Sequence, residues 1–561
     1  MSKNLMWVIG AGAALIVTIG VLFATGVFGG RAKIEDPLFF YVNLEQLAKK
    51  GALDKHITAD NRRMIASIAS VEMDNTHDAD LIKNIITDFN TTGIDFTAPI
   101  YGYLHNSTHG MVIVAEVEDI DLVDQTMKLI SDNTGDSFSS SIQDDVRTVV
   151  TDEDEVLICY DDTRFAIIIG DEEYVDIIAK DAMERKMADL SIFGDADMAL
   201  YSDLDKAIAI ADQYINDELA EYEEEYNDGW LDEWEYEYYT ENTRALKSII
   251  DMYRGYIDDE ASLTISTTFE KGRVVLAYDA EGINFDEWED MYEDANLDHL
   301  EYFNKDVIAV AGTGINGEEF AKKIREFIDG DMMTTSGYEL DSEDKMAASI
   351  ACDAIATIDG GATIGLDKLN GYLHERYSYY WDEYTYEPRF ESANALFMMD
   401  VDGEYIISNV GQFAGQYMNK EGHNKYTTEF EDMDVTLAQV DNLLYAGLNM
   451  QLQERSNSAE NAIWYDDVKG SLAYFVINID ALMKSSLIKA FNDEIIDEIG
   501  DDLENTYNRF TEMFSYVYMT CDSFDHSEFV IVFDDKDTNA LEQVTNIVLP
   551  VVMSEVMSEL Y

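Results

Sequence analysis

Apolar positions along the chain follow three patterns. The first is an unbroken run, LMWVIGAGAALIVTIGVLFATGVF at residues 5–28, without a single charge. At about 1.5 Å per residue it predicts a helix of roughly 36 Å, long enough to cross a bilayer core with some tilt. After residue 35 the apolar runs are short and switch between periods of two and of three to four. LFFYVN at 38–43 reads as a strand, and LEQLAKKGAL follows it at once as a helix. NRRMIASIAS and ADLIKNIITDF repeat at helical spacing. TGIDFTAPIYGYLH and GMVIVAEVE read as a hairpin about the polar loop 106–110. Residues 121–130 look helical; RTVVTD, EVLICYD and RFAIIIGD read as short strands, and EEYVDIIAKDAMERK closes the module as a helix near residue 186.

The opening device of strand, short polar turn and helix recurs. It appears again in MALYSDLDKAIAI at 198, VIAVAGTGINGEEFAKKI at 307 and LAYFVINIDALMKSS at 472, with a weaker copy in ALFMMDVDGEYIISN at 396. The irregular spacing of these starts argues against a stacked solenoid. The expected fold class is α+β: one N-terminal transmembrane helix followed by repeated strand-helix-hairpin modules with antiparallel sheets. The expected division is a tail at 1–4, an anchor at 5–28, modules at 35–190 and 191–340, and a C-terminal region at 341–561. VTNIVLPVVM near the C-terminus is too short to span and contains Pro550.

The run at 5–28 is too long for the core of a cleaved signal peptide, and Ala24-Thr25-Gly26 is a poor cleavage site. Without a nearby cysteine there is no lipid attachment, so the expectation is an uncleaved anchor in the lipid bilayer. Lys3 on one side nearly balances Arg31 and Lys33 on the other. The four-residue tail is easily kept in the cytoplasm, which places the body outside it.

Charge narrows the choice of partners. The chain of 561 residues carries 114 Asp and Glu against 37 Lys and Arg, a formal net charge of −77. Nucleic acid and anionic headgroups need clustered cations, so neither is an expected partner. An apolar fraction of 47% argues for a folded body rather than an acidic tail. Cys159, Cys352 and Cys521 are far apart and odd in number, so they form no disulfide framework or paired metal motif.

The opening strand and helix, the TGIDFTAPIY lead into the hairpin and the GMVIVAEVE strand resemble bacterial envelope proteins of the domain of unknown function 4836 family. The resemblance is clearest over about residues 35–185. It implies a secreted or membrane-attached protein of mixed α and β structure with no established activity. Such proteins often carry a lipoprotein cysteine, which this chain lacks.

Candidate chemistry is sparse. Gly312-Thr313-Gly314-Ile315-Asn316-Gly317 follows a strand and opens a helix, the context of a dinucleotide fingerprint. The same slot holds VNLEQ, SDLDK and NIDAL elsewhere, so it reads as a turn in a recurring module. His105 and His109 flank the hairpin loop and read as ordinary histidines on an exposed turn. Asp228-Gly229 with Glu235 imitates the end of a calcium loop, but Tyr226 stands where a ligand is needed. No catalytic residue, metal site or cofactor is expected.

Two aromatic-acidic stretches are more distinctive. Tyr222, Tyr226, Trp230, Trp234 and Tyr238 recur at intervals of four, which on one α-helix forms a stripe, with Gly229 weakening the helix. In 372–390, Tyr377, Tyr379 and Trp381 alternate as in a strand or ordered loop. Such rings with carboxylates stack on sugars or hold cations. The expected function is non-enzymatic binding or scaffolding of another envelope protein. The alternative is a glycan- or cation-binding module, and a carboxylate-pair hydrolase is least favoured.

Overall fold

The computed structural model describes residues 36–71, 76–105, 110–134, 139–143, 146–150, 156–170, 172–329, 342–378, 383–430 and 433–559. The apolar run 5–28 lies outside them. No helix among the described residues is long and apolar enough to cross a membrane. The body is α+β with antiparallel sheets. Two compact units divide it: Met1–Asp217 with Ile257–Ile283 and Lys536–Tyr561, and Glu218–Tyr256 with Asn284–Asp535. Each unit gathers separated stretches of chain, whereas the expectation was of successive modules.

The first unit contains β1 (Phe39–Val42), β2 (Ile100–Leu104), β3 (Met111–Glu116), β4 (Ser139–Gln143), β5 (Val146–Val150), β6 (Val156–Tyr160), β7 (Arg164–Ile169), β8 (Met198–Asp203), β9 (Ile257–Glu270) and β10 (Arg273–Ile283). Antiparallel pairing orders them β4-β5-β6-β7-β3-β2-β1-β8-β9-β10. Residues of period two build the core from one face: Phe39 and Tyr41, Tyr101 and Tyr103, Val112 and Val114, Ala166 and Ile168. The helix Glu172–Glu184 adds Val175 and Ile178 to the same cluster. Ile100, Ile113 and Ala115 point the other way and pack with Phe40 and Phe96.

The second unit contains β11 (Tyr292–Glu293), β12 (Ala309–Asn316), β13 (Ile358–Ser378), β14 (Glu383–Val401), β15 (Asn419–Lys420), β16 (Lys425–Phe430), β17 (Met433–Val440), β18 (Leu443–Leu448), β19 (Ala473–Asn478), β20 (Phe514–Ser523) and β21 (His526–Phe533). Its antiparallel order is β15-β16-β17-β18-β14-β13-β12-β19-β20-β21, with β11 beside the end of β12. Strand for strand, this is the order of the first unit. Helical connections fall at matching places: after β1 and β12, after β3 and β14, and after β8 and β19. Among the described residues one topology occurs twice.

The recurring strand-turn-helix device explains the centre of both sheets. In the four stronger copies the polar residue at the strand's end, or just past it, is the helix N-cap. Asn43 accepts from Gln46 N–H at 2.9 Å, Asp203 from Lys206 at 3.1 Å, Asn316 from Glu319 at 3.3 Å and Asn478 from Ala481 at 3.0 Å. The four copies are neighbours two by two, β1 with β8 and β12 with β19.

The glycines of GTGING are not a turn, which corrects the reading above. Gly312 and Gly314 lie within β12, and a Cβ on Gly312 would sit 2.5 Å from the buried Tyr474 ring. Close approach of a neighbouring side chain, and not a phosphate, demands glycine there.

Asp36 is buried and takes a bidentate pair from Arg185, at 2.9 and 2.8 Å, while the guanidinium lies 4.3 Å from the Tyr103 ring centroid. Burial pushes the Asp36 carboxyl above the usual range against the pull of Arg185. Arg185→Ala strands that buried carboxylate, and an unfolding midpoint corresponding to about 3–5 kcal/mol of lost stability is expected in urea titrations. Lys49→Ala, which removes the exposed pair with Glu45, is expected to cost under about 1 kcal/mol.

Candidate functional site

Two places hold chemistry beyond packing. The first is a cleft of about 430 Å³ lined by Glu293, Asp294, Asn296, Asp359, Asp400 and Asn442. Behind it, His299 Nδ1 lies 2.9 Å from Thr363 Oγ1, and Nε2 lies 3.2 Å from Asp400 Oδ1. A hydroxyl, an imidazole and a carboxylate in series imitate a catalytic triad. Exposure decides against it. Thr363 is 2% exposed and His299 3%, so the hydroxyl faces no cleft from which a substrate could reach it.

Asp400 also accepts from Asn296 Nδ2 at 2.8 Å and from Gly361 N–H at 2.9 Å. Burial alone would raise its carboxyl; the hydrogen bonds from His299 and Asn296, the His299 charge and the Gly361 N–H outweigh it and hold the carboxyl below its ordinary value. A carboxylate so engaged fixes the loop and strand around it and is a poor base. Among the described residues, no three His, Cys, Asp or Glu side chains are placed to share a metal ion.

The second place is the helical hairpin formed by Leu204–Asn227 and Glu233–Arg254. The expected single stripe is corrected here, because the helix ends after its second ring, Tyr226, and a new one begins before the fourth, Trp234, leaving Trp230 in the turn. Gly229 adopts φ +79 and closes the first helix. Its N–H donates to Tyr226 O at 3.1 Å and the next, from Trp230, to Glu225 O at 2.9 Å, which completes a Schellman end. Asp232 then starts the second helix: Oδ1 accepts from Glu235 N–H at 2.9 Å, and Glu235 Oε2 accepts from Asp232 N–H at 3.1 Å. This capping box is what the apparent end of a calcium loop is made of.

The rings therefore distribute over two antiparallel helices. Tyr222 stacks on Tyr239 at 5.3 Å and Tyr226 on Tyr236 at 4.5 Å, zipping the hairpin. Trp230 and Trp234 are 81% and 69% exposed, and Tyr238, stacked on Trp234 at 5.6 Å, is 52% exposed. Tyr236 and Tyr239 escaped the reading at intervals of four because they matter only once the helix folds back.

The other aromatic stretch lies at the far end of the β13–β14 hairpin, whose strands run 21 and 19 residues. Tyr372, Tyr386 and Phe390 are exposed there. Tyr377 stands on β13 with its backbone opposite Tyr384, while Tyr379 and Trp381 lie outside the described residues. The helix Ser486–Ile499 braces the hairpin, Ser486 Oγ accepting from Gly371 N–H at 3.0 Å. His105 departs from the exposed turn expected of it: it is buried, 3.4 Å from Asp181 Oδ2. His109 lies outside the described residues. The three thiols are free, Cys159 and Cys352 being buried.

The family model described as Domain of unknown function (DUF4836) matches residues 35–203. That segment of the chain is similar to the family. The DUF4836 match ends at Asp203, the last residue of β8, and so takes in eight strands of the first unit. No curated protein matches the chain. Two solved structures are similar, crystal forms III and I of TP0453, each 10% identical. They cover 46% and 45% of this chain and 85% and 80% of their own, with TM-scores of 0.21 and 0.20. Overlaps at that level carry no argument.

Asp400 yields a pH prediction. Its ionised form stabilises the fold above about pH 4, and that stabilisation is lost as pH falls through the lowered folded value. The difference in urea midpoint between the native protein and Asp400→Asn is expected to be constant near neutrality and to close below about pH 4.

Proposed function

We propose that the protein is a membrane-anchored, extracytoplasmic component of a bacterial envelope, and that it binds or scaffolds another envelope component without catalysing a reaction. The single-pass anchor is the apolar run 5–28, with the short tail in the cytoplasm and the body on the periplasmic side. One observation carries the binding role. The large exposed rings Trp230 and Trp234 stand at the tip of a capped, zipped hairpin, where no core needs them. A tryptophan fully removed from water contributes about 1.5–3 kcal/mol of burial, so exposing two on a rigid tip is costly unless something covers them. A second reading, a glycan- or cation-binding module, draws on the same rings and on the acids around them.

Replacing residues 5–28 by a cleavable signal peptide is expected to move the protein from the membrane pellet to the soluble periplasmic fraction. Protease added from the periplasmic side is expected to digest the body of the native chain. Recovery of the native chain in the soluble fraction, or a body that resists protease until the inner membrane is opened, overturns the topology. A photoreactive residue in place of Leu231 is expected to capture one envelope component reproducibly, and capture of none counts against the binding role.

A further inference from the structure

We infer that the tip of the helical hairpin is a docking surface for a Lys- and Arg-rich polypeptide segment. The inference rests on the binding role proposed above and names the partner's chemistry. Residues 217–243 contain twelve Asp and Glu and neither Lys nor Arg. Glu221, Glu223, Glu224, Asp228, Glu233, Glu237 and Glu241 are exposed on the hairpin. Trp230, Trp234 and Tyr238 lie exposed among them.

The negative charge is placed against the hairpin's own interest. Glu221 faces Glu224 and Glu225 at helical spacings of three and four, and Glu224 faces Asp228, so like charges repel along the surface. Glu223, Glu224, Glu225 and Asp228 also crowd the C-terminal end of the first helix, where the backbone carbonyls already present negative charge. A cationic partner relieves both repulsions at once. This charge complementarity selects the occupant. Anionic lipid and nucleic acid are repelled, and a neutral sugar gains stacking but relieves no charge.

The rings add what carboxylates lack. Trp is the best cation–π acceptor, and guanidinium groups stack on its face while their donors reach carboxylates. Trp234 and Tyr238 are one helical turn apart, and Trp230 belongs to the turn before the same helix. Successive basic side chains of one segment can therefore occupy successive rings, which an isolated small cation cannot do.

The test uses the full chain in neutral detergent and a labelled twelve-residue peptide of alternating Arg and Ser, followed by fluorescence anisotropy. A Glu-Ser peptide, a chitin oligosaccharide and phosphatidylcholine vesicles serve as comparisons. Binding of the Arg-Ser peptide is expected to weaken sharply between about 0.15 and 1 M salt, as screening shortens from about 8 to 3 Å. Trp230→Ala with Trp234→Ala is expected to weaken it about tenfold, the sum of two exposed cation–π contacts. Glu221→Gln with Glu224→Gln is expected to weaken it while raising the hairpin's thermal stability, a gain that a merely solvated acidic surface would show without any loss of binding. Equal peptide binding by the tryptophan variant, or binding indifferent to salt, overturns the inference. Binding of the oligosaccharide or vesicles in place of the peptide also overturns it and leaves the envelope-binding role standing. Absence of binding to every probe, together with no crosslink from position 231, overturns both.

Discussion

Each sheet depends on strands that pass into a helix through a single capping residue. Asn43, Asp203, Asn316 and Asn478 close β1, β8, β12 and β19 and turn the chain into a helix without a loop between. An N-cap contributes about 1 kcal/mol. Its larger effect is geometric, because it fixes where pairing stops and where the helix begins. β1 and β8, like β12 and β19, then lie side by side with the remaining strands added outward. Asp197, fully buried just before β8, ties this centre to its surroundings by accepting from Lys50 Nζ at 2.6 Å and from Phe269 N–H at 2.7 Å.

The local part of this design was legible in the sequence. Alternating apolar residues gave β2, β3, β6 and β7, and the recurring device marked all four central strands before their pairing was known. The pairing itself was not legible, since hydrogen bonds between β1 and β8, or between β12 and β19, join residues far apart in the chain and leave no periodicity. For the same reason the repeated topology was hidden, although its punctuation was partly visible. The aromatic stripe misled because Gly229 reads in the sequence as a weak point within one helix, whereas with the Asp232–Glu235 box it ends one helix and starts another. His105 misled because a residue beside a polar loop can still turn inward, here toward Asp181.

Comparison of the two units shows what each copy has added. β2 and β3 hold 5 and 6 residues, whereas their counterparts β13 and β14 hold 21 and 19. The helices between β8 and β9 have 24 and 22 residues, and those between β19 and β20 have 5, 14 and 11. The shared topology therefore closes a sheet with the shorter version of either element. The two long versions carry the two aromatic-acidic stretches, so the exposed rings Trp230, Trp234, Tyr372 and Phe390 sit where one copy is longer than the other.

The helix Ala540–Glu559 has a bearing on how the protein is made. It follows β21 of the second unit but packs in the first, where Thr545 Oγ1 donates to Gly51 O at 2.6 Å and Lys55 pairs with Glu542. During synthesis the chain emerges N-terminus first. The early strands of the first unit must therefore wait, incomplete, until the whole of the second unit has followed. Their exposed apolar surface during that interval is the period of greatest aggregation risk, and the dense negative charge of the chain is well suited to keep waiting molecules apart.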